Sequence, residues 1–187
     1  MDKNYLIFDF QSSTPCSTEV VEEMAPYWKE LWGNPSNTNN RSGVFASAAV
    51  EVSREKIASC LNINPKRIIF TSGATEANNL ALVGHARAKA QQIGKRGHII
   101  TASTEHHAVL DPLRQLQKEG FRLTELQPNK DGLINIDQLS AALEKDTFLV
   151  SVMAANNEIG VLQPISEIGS FCKSKGIAFH TDAAQAL

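Results

Sequence analysis

Hydroxyl, imidazole, amide and carboxylate side chains collect in four short motifs, and each motif directly follows an apolar run that predicts a β-strand. The motifs are residues 71–76, 104–107, 156–160 and 182–185. In open α/β sheets, ligands bind in the crevice beyond the carboxyl ends of the parallel strands, because the loops and helix N-termini that follow the strands all lie there. The sequence therefore predicts that the four motifs converge on one ligand site.

The first motif has the residues of an anion site. Gly73 stands between a predicted strand and a predicted helix, where it lets backbone N–H groups approach an anion, and Ser72 or Thr75 can add a hydroxyl donor. Phosphate is the ligand that this chemistry favours. The motif matches neither the P-loop nor the dinucleotide fingerprint. A plain strand-to-helix connection with a capping Ser or Thr explains the same residues.

The second motif contains the pair His106 and His107 at the start of a predicted helix. A flat imidazole such as that of His106 can stack on an aromatic ring, and it gains and loses a proton near neutral pH. The alternative is one surface histidine beside one that is hydrogen-bonded for structural reasons.

The other two motifs supply a carboxylate and two amides. A carboxylate such as Asp182 favours the protonated form of a neighbouring pyridine nitrogen, and Gln185, about one helical turn further on, can donate to a phenolic oxygen on the same ring. The Asn157 side-chain amide can hydrogen-bond to the edge of the same ring or to a substrate carboxylate. Alternatively, Asp182 is an N-cap and Asn157 is an ordinary loop amide.

The elements that must position these motifs alternate between strand and helix from residue 65 onwards. Strands are predicted at 68–70, 98–102, 121–126, 147–153 and near 177, with helices over 74–92, 107–118, 137–145 and 165–175. In the 74–92 helix, a face of small residues is expected against the sheet: Ala77, Leu80, Ala81, Gly84 and Ala88. This order predicts an α/β fold, a mainly parallel sheet with helices on both faces. An N-terminal arm precedes it, with a strand-like piece at 5–10 and helices over 17–31 and 42–61.

Composition narrows the classes of partner and compartment. The 187 residues are 42% hydrophobic and 20% charged, with a formal net charge of −2 and no basic cluster, so neither nucleic acid nor a membrane is expected as a partner. Residues 1–4 lack the features of a signal peptide, so a cytoplasmic location is expected. Cys16, Cys60 and Cys172 share no Cys-x-x-Cys spacing, so we expect neither a disulfide framework nor a metal site.

Taken together, the motifs resemble those of the cysteine desulfurases, a branch of the class V aminotransferases that use pyridoxal 5'-phosphate. The resemblance is carried, in the same order as in that family, by residues 69–81, 104–110, 156–161 and 180–186. Residues 8–15 and 33–36 match the N-terminal arm of the family more loosely.

The resemblance implies a role for each matching residue. Ala74 and Thr75 would bind the cofactor phosphate, and His106 would stack on the cofactor ring and act catalytically in proton transfer. Asn157 and Gln185 would approach the ring oxygen, and Asp182 would pair with the pyridinium nitrogen. The implied domains are an N-terminal arm and helix over 1–41 and an incomplete cofactor-binding large domain over 42–187.

The sequence departs from the family pattern at two points. The family usually carries a His shortly after its Asn-Pro-Ser element, where this chain has Asn40. The lysine that holds the cofactor covalently and the nucleophilic cysteine both follow the Asp-Ala-x-Gln motif in the family, and neither is found within residues 1–187. We therefore expect an N-terminal part of such an enzyme, with a truncated fold, that shows no turnover as the isolated chain.

The implied reaction converts L-cysteine to L-alanine and an enzyme-bound persulfide for iron-sulfur cluster assembly or another sulfur-transfer route. A homodimer is implied for the full-length enzyme, together with a sulfur-acceptor or scaffold protein. Two alternatives stay open at this point: another class V enzyme such as a selenocysteine lyase, and a non-catalytic truncated protein that binds the cofactor or another subunit.

Overall fold

The structure, a computed structural model, describes residue 6 and residues 8–186. The described helices are α1 (Thr18–Lys29), α2 (Arg41–Cys60), α3 (Ala74–Ile93), α4 (His107–Lys118), α5 (Ile136–Ala141) and α6 (Ile165–Ser174). The described strands are β1 (His98–Ala102), β2 (Arg122–Leu126), β3 (Thr147–Ser151) and β4 (Ala178–His180). Part of the strand-like piece predicted at 5–10 lies outside the described residues.

The chain divides into two compact units, residues 1–70 and residues 71–187. The first unit contains α1 and α2. Asn40, which occupies the place where the family usually has His, is the N-cap of α2, and its Oδ1 accepts a 2.8 Å hydrogen bond from Gly43 N. This satisfies one of the amides that a helix N-terminus leaves without a partner. The boundary after residue 41 was predicted to separate the N-terminal arm from the cofactor-binding domain, and it stays a prediction.

The second unit contains a parallel four-stranded sheet in the order β2-β1-β3-β4. Neighbouring residues of β1 point to opposite faces, as the period of a strand requires. Ile99 packs in a cluster with side chains of α3 and α4, whereas Ile100 packs in a second cluster with side chains of α5 and α6. Helices therefore cover both faces, and the predicted α/β fold with a mainly parallel sheet is confirmed.

Two local predictions are wrong. Residues 68–70 form no strand, and Ile69 is 68% exposed, because no described strand pairs with this run. The buried face of α3 is not the predicted set of small residues but Asn78, Leu82 and Ala86. Alanines surround this helix on all sides, so its hydrophobic pattern does not fix which side faces the sheet.

Among the helices of residues 8–186, none combines the length and apolar character that a membrane span needs. The same residues hold no cluster of His, Cys, Asp and Glu that could bind a metal ion.

Candidate functional site

The first turn of α3 presents uncapped backbone amides. Gly73 is the N-cap residue, and no side chain hydrogen-bonds to the helix N-terminus from that position. Ala74 and Thr75 are the first two helical residues, and both are exposed. The Glu76 carboxylate turns back to accept from Ser72 N at 2.6 Å and from Ser72 Oγ at 2.7 Å, which holds the preceding turn in place. The amides and the dipole of this 20-residue helix are thus available to an anion.

Asp182 follows β4, and its carboxylate is fixed from two sides. Its Oδ2 accepts a 2.8 Å hydrogen bond from Asn78 Nδ2, and its Oδ1 accepts a 3.0 Å hydrogen bond from Ala184 N. Only 8% of the residue is exposed. The bond to Asn78 ties the carboxylate to the same helix, α3, whose N-terminus forms the candidate anion site. Each carboxylate oxygen can accept a further hydrogen bond.

His106 is the N-cap residue of α4, and its ring is a structural acceptor. Its Nδ1 accepts a 3.0 Å hydrogen bond from Ala108 N. A neutral imidazole that accepts at Nδ1 carries its proton on Nε2. His106 is exposed, so the ring face and the Nε2–H group are accessible while Nδ1 is occupied. His107 is also exposed, and its Nδ1 lies 3.7 Å from an oxygen of Asp111.

Asn156 organises the loop after β3. The Asn156 side chain is buried, and its Nδ2 donates a 2.8 Å hydrogen bond to Thr104 O. Its Oδ1 accepts from Glu158 N and Ile159 N, both at 2.9 Å. These bonds fold the loop into a fixed turn, and Asn157 lies half-buried within that turn.

Glu105 forms a second link between the same two loops. Its Oε1 accepts a 2.7 Å hydrogen bond from Met153 N, whereas its Oε2 is buried and has no hydrogen-bond partner among the described residues. Burial, opposed by the bond from Met153 N and reinforced by the nearby charge of Asp182, raises the pKa of Glu105 to about 8. Glu105 is therefore mainly protonated at neutral pH.

His180, the last residue of β4, stands two positions before Asp182. His180 Nδ1 lies 2.9 Å from Ser151 Oγ, which joins β4 to β3. Burial lowers the pKa of His180, although the charge of Asp182 acts in the opposite direction. The backbone continues the connection, because Ala154 N donates to Asp182 O at 2.8 Å.

Hydrogen bonds thus connect the second motif to the third through Asn156 and Thr104, and they connect Asp182 of the fourth motif to α3 through Asn78. Thr75 and His106 also share a cleft of about 630 Å³ between α3 and α4. Asn157, Asp182 and Gln185 are not among the residues that line this cleft. Gln185 is exposed, three positions beyond Asp182.

Sequence reasoning missed Asn78, Glu105 and Asn156, which support the candidate residues. A signal was available for one of them. Asn78 shares one helix face with the buried Leu82 and Ala86, and a polar residue at a core position needs a hydrogen-bond partner. Glu105 follows an apolar strand and directly precedes the candidate ring-stacking histidine, but its burial depends on the position of β3 and could not be foreseen.

Known proteins resemble this chain in sequence. The family model for "Aminotransferase class-V" matches residues 6–187. The cysteine desulfurase IscS of Dechloromonas aromatica is 48% identical over 181 residues, which cover 97% of this chain and 44% of that protein. The cysteine desulfurase of Mus musculus is 47% identical over 182 residues, which cover 97% of this chain and 39% of that protein.

Solved structures show the same likeness. A structure titled "SspA in complex with cysteine" superposes with a TM-score of 0.90 at 40% identity, over 96% of this chain and 50% of that one. A NifS-like protein superposes with a TM-score of 0.89 at 35% identity, over 96% of this chain and 49% of that one. This chain thus spans about half or less of the length of these relatives. The family match over residues 6–187 shows that the chain belongs to the class V aminotransferase family.

Proposed function

We propose that the chain forms the cofactor cradle of a pyridoxal 5'-phosphate-dependent cysteine desulfurase. The observation that carries the proposal is the buried Asp182 carboxylate, which Asn78 holds at the edge of the sheet and joins to the helix with the uncapped N-terminus. A fixed carboxylate close to an anion site is the combination that a phosphorylated pyridinium ring requires.

The phosphate end of the cofactor fits the start of α3. The backbone amides of Ala74 and Thr75 and the hydroxyl group of Thr75 would be its donors. A Cβ atom added at Gly73 would meet no heavy atom within 4 Å, so the turn leaves open space on that side. The helix dipole adds partial positive charge at the same place.

The ring end of the cofactor fits the other three motifs. Asp182 would pair with the protonated ring nitrogen, and His106 would stack on the ring with its Nε2–H group available for proton transfer. Asn157 and Gln185 would approach the ring oxygen. When bound, the cofactor supplies an electron sink that the protein side chains lack. The chain would bind and orient the ring, and Asp182 would hold a proton at the ring nitrogen.

The identity with cysteine desulfurases supports L-cysteine as the substrate, with L-alanine and an enzyme-bound persulfide as the products. The relative solved with cysteine supports the same choice. The lysine that anchors the cofactor and the cysteine that accepts sulfur would come from sequence outside residues 1–187. A homodimer and a sulfur-acceptor or scaffold protein complete the proposed assembly.

The proposal is tested by titrating the 187-residue chain with pyridoxal 5'-phosphate and following the cofactor absorbance. We expect reversible binding that Asp182→Asn weakens about ten-fold or more, because an amide cannot neutralise the ring nitrogen's charge. Asp137→Asn, at an exposed position in the first turn of α5 and outside the cleft, is the matched control and should bind as the unmodified chain does. Equal affinity of the two variants would contradict the proposed role of Asp182.

A further inference from the structure

Two separate side chains connect the loop after β1 with the loop after β3. Glu105 reaches from the first loop to Met153 N in the second, and Asn156 reaches back from the second loop to Thr104 O in the first. Both side chains are buried. The pairing of β1 with β3 ends at Thr101 and Ser151, so these two bonds help to fix the relative positions of the loops beyond it.

We propose that Glu105 is a positioning residue that acts as a neutral carboxylic acid, holding His106 and the Asn157 loop in the relative orientation that the cofactor ring requires. The part of this inference that concerns the cofactor ring rests on the proposed function. The part that concerns the link between the two loops rests on the contacts of Glu105. It assigns Glu105 no contact with the ring.

The geometry favours the neutral form. Glu105 is 5% exposed, its Oε1 has a single backbone donor, and its Oε2 has no partner among the described residues. A buried carboxylate needs several donors or a cation to offset its lost hydration, and the neutral acid needs far less. The high pKa of Glu105 agrees with this reasoning.

The charged groups around Glu105 point the same way. Asp182, beyond β4, is an acid and opposes a second negative charge. His180 on β4 has a lowered pKa and supplies no cation at neutral pH. At the end of β3, the neighbours are Val152, Met153 and Ala154, which carry no charge. His106 and His107 follow on the same loop as Glu105 and are exposed.

A matched set of variants separates a neutral link from a charged one. Glu105→Gln keeps the length of the side chain, its carbonyl acceptor and its neutrality, whereas Glu105→Asp is one methylene shorter and Glu105→Ala has no acceptor. We expect pyridoxal 5'-phosphate to bind the Gln variant with the affinity of the unmodified chain and the Ala variant about ten-fold more weakly, since one buried hydrogen bond is lost. The Asp variant should resemble the Ala variant.

Three NMR measurements do not depend on cofactor binding. In the unmodified chain, the Glu105 side-chain carboxyl carbon should titrate well above the usual range of glutamate. In Glu105→Gln, the ring signals of His106 and the slow hydrogen exchange of the Met153 amide should be retained, and in Glu105→Ala both should change. These readouts hold even if the chain binds no cofactor, so failure of the proposed function is distinguishable from failure of this inference.

Two results would overturn the inference. One is titration of the Glu105 carboxyl carbon in the ordinary glutamate range, which needs no variant and so does not depend on whether Glu105→Ala folds. The other is a folded Glu105→Gln variant with the same loss of affinity and the same altered His106 signals as Glu105→Ala, because the charge rather than the neutral acceptor would then hold the loops.

Discussion

Asn78 and Asp182 are 104 residues apart in the sequence, yet the Asn78 side-chain amide donates a 2.8 Å hydrogen bond to the Asp182 carboxylate. Both residues are buried. One bond thus joins the helix that begins at the candidate phosphate site to the acid proposed for the cofactor ring nitrogen.

Replacing Asn78 should damage both folding and the site. In Asn78→Ala, Asp182 Oδ2 loses its donor while it remains buried, so we expect the free energy of unfolding to fall by about 1–3 kcal/mol. Urea unfolding measures this change. Asn79→Ala is the matched control, because the exposed Asn79 side chain bonds only to Thr75 O of its own helix. Equal losses in the two variants would show that the bond to Asp182 adds little stability.

His106 combines two roles that substitution can separate. His106→Asn should keep the N-cap of α4 but lose the aromatic ring, whereas His106→Phe should keep a ring for stacking but lose the cap, which costs about 1 kcal/mol of stability. We therefore expect thermal unfolding to report the cap and cofactor affinity to report the ring. A Phe variant that binds pyridoxal 5'-phosphate no better than the Asn variant would argue against stacking.

Glu105 should make stability depend on pH in a defined window. Burial raises its pKa from the ordinary 4.5 to about 8, so between these values the native state holds a proton that the unfolded state has released. The free energy of unfolding contributed by Glu105 therefore decreases as the pH rises through this window, by up to about 1.4 kcal/mol per pH unit, and levels off above it.

Glu105→Gln removes this dependence because it cannot ionise. Relative to the unmodified chain, the Gln variant should become progressively more stable between pH 5 and pH 8.5 in urea unfolding. Glu158→Gln, at an exposed position, should show no such trend. Parallel pH profiles for the unmodified chain and Glu105→Gln would contradict the prediction.

His98 should lower the stability of the protein as the pH falls, whereas Glu105 lowers it as the pH rises. Its buried ring spans three strands, with Nδ1 2.8 Å from Thr147 Oγ1 and Nε2 2.8 Å from Thr124 Oγ1. Burial lowers its pKa, although the nearby charge of Glu144 opposes this shift. As the pH falls below the ordinary value of 6.5, the unfolded state binds a proton that the native state excludes, and stability is lost.

His98→Leu should therefore cost most above neutral pH. We expect a loss of about 1–3 kcal/mol at pH 7.5, because two hydrogen bonds disappear from the core, and a smaller loss at pH 5. His107→Leu is the control, since the His107 side chain is 80% exposed. A cost of His98→Leu that grows towards acid pH would reverse the assigned sign.

The sequence predicted the fold better than it predicted the support of the site. The sequence pattern located α4 and β1 within a residue, because α4 has one apolar face and β1 is a short run that is buried throughout. It failed for residues 68–70, since an apolar run becomes a strand only beside a pairing partner. It also failed for α3, where alanines on every side left the buried face undefined. Asn78, Glu105 and Asn156 were missed because their partners lie 48 to 104 residues away, and local patterns carry no information on such contacts.

The two edge strands of the sheet differ in charge, and this difference decides beside which of them a further strand can pair. Charged side chains lie along the β2 edge of the sheet. Arg122 forms ion pairs with Glu144 and Asp146, and Glu125 forms one with Arg114. On β4, the described residues are Ala178, Phe179 and a histidine with a lowered pKa, which offer no such barrier to an incoming strand. Extension by a further parallel or antiparallel segment is therefore favoured beside β4 and discouraged beside β2.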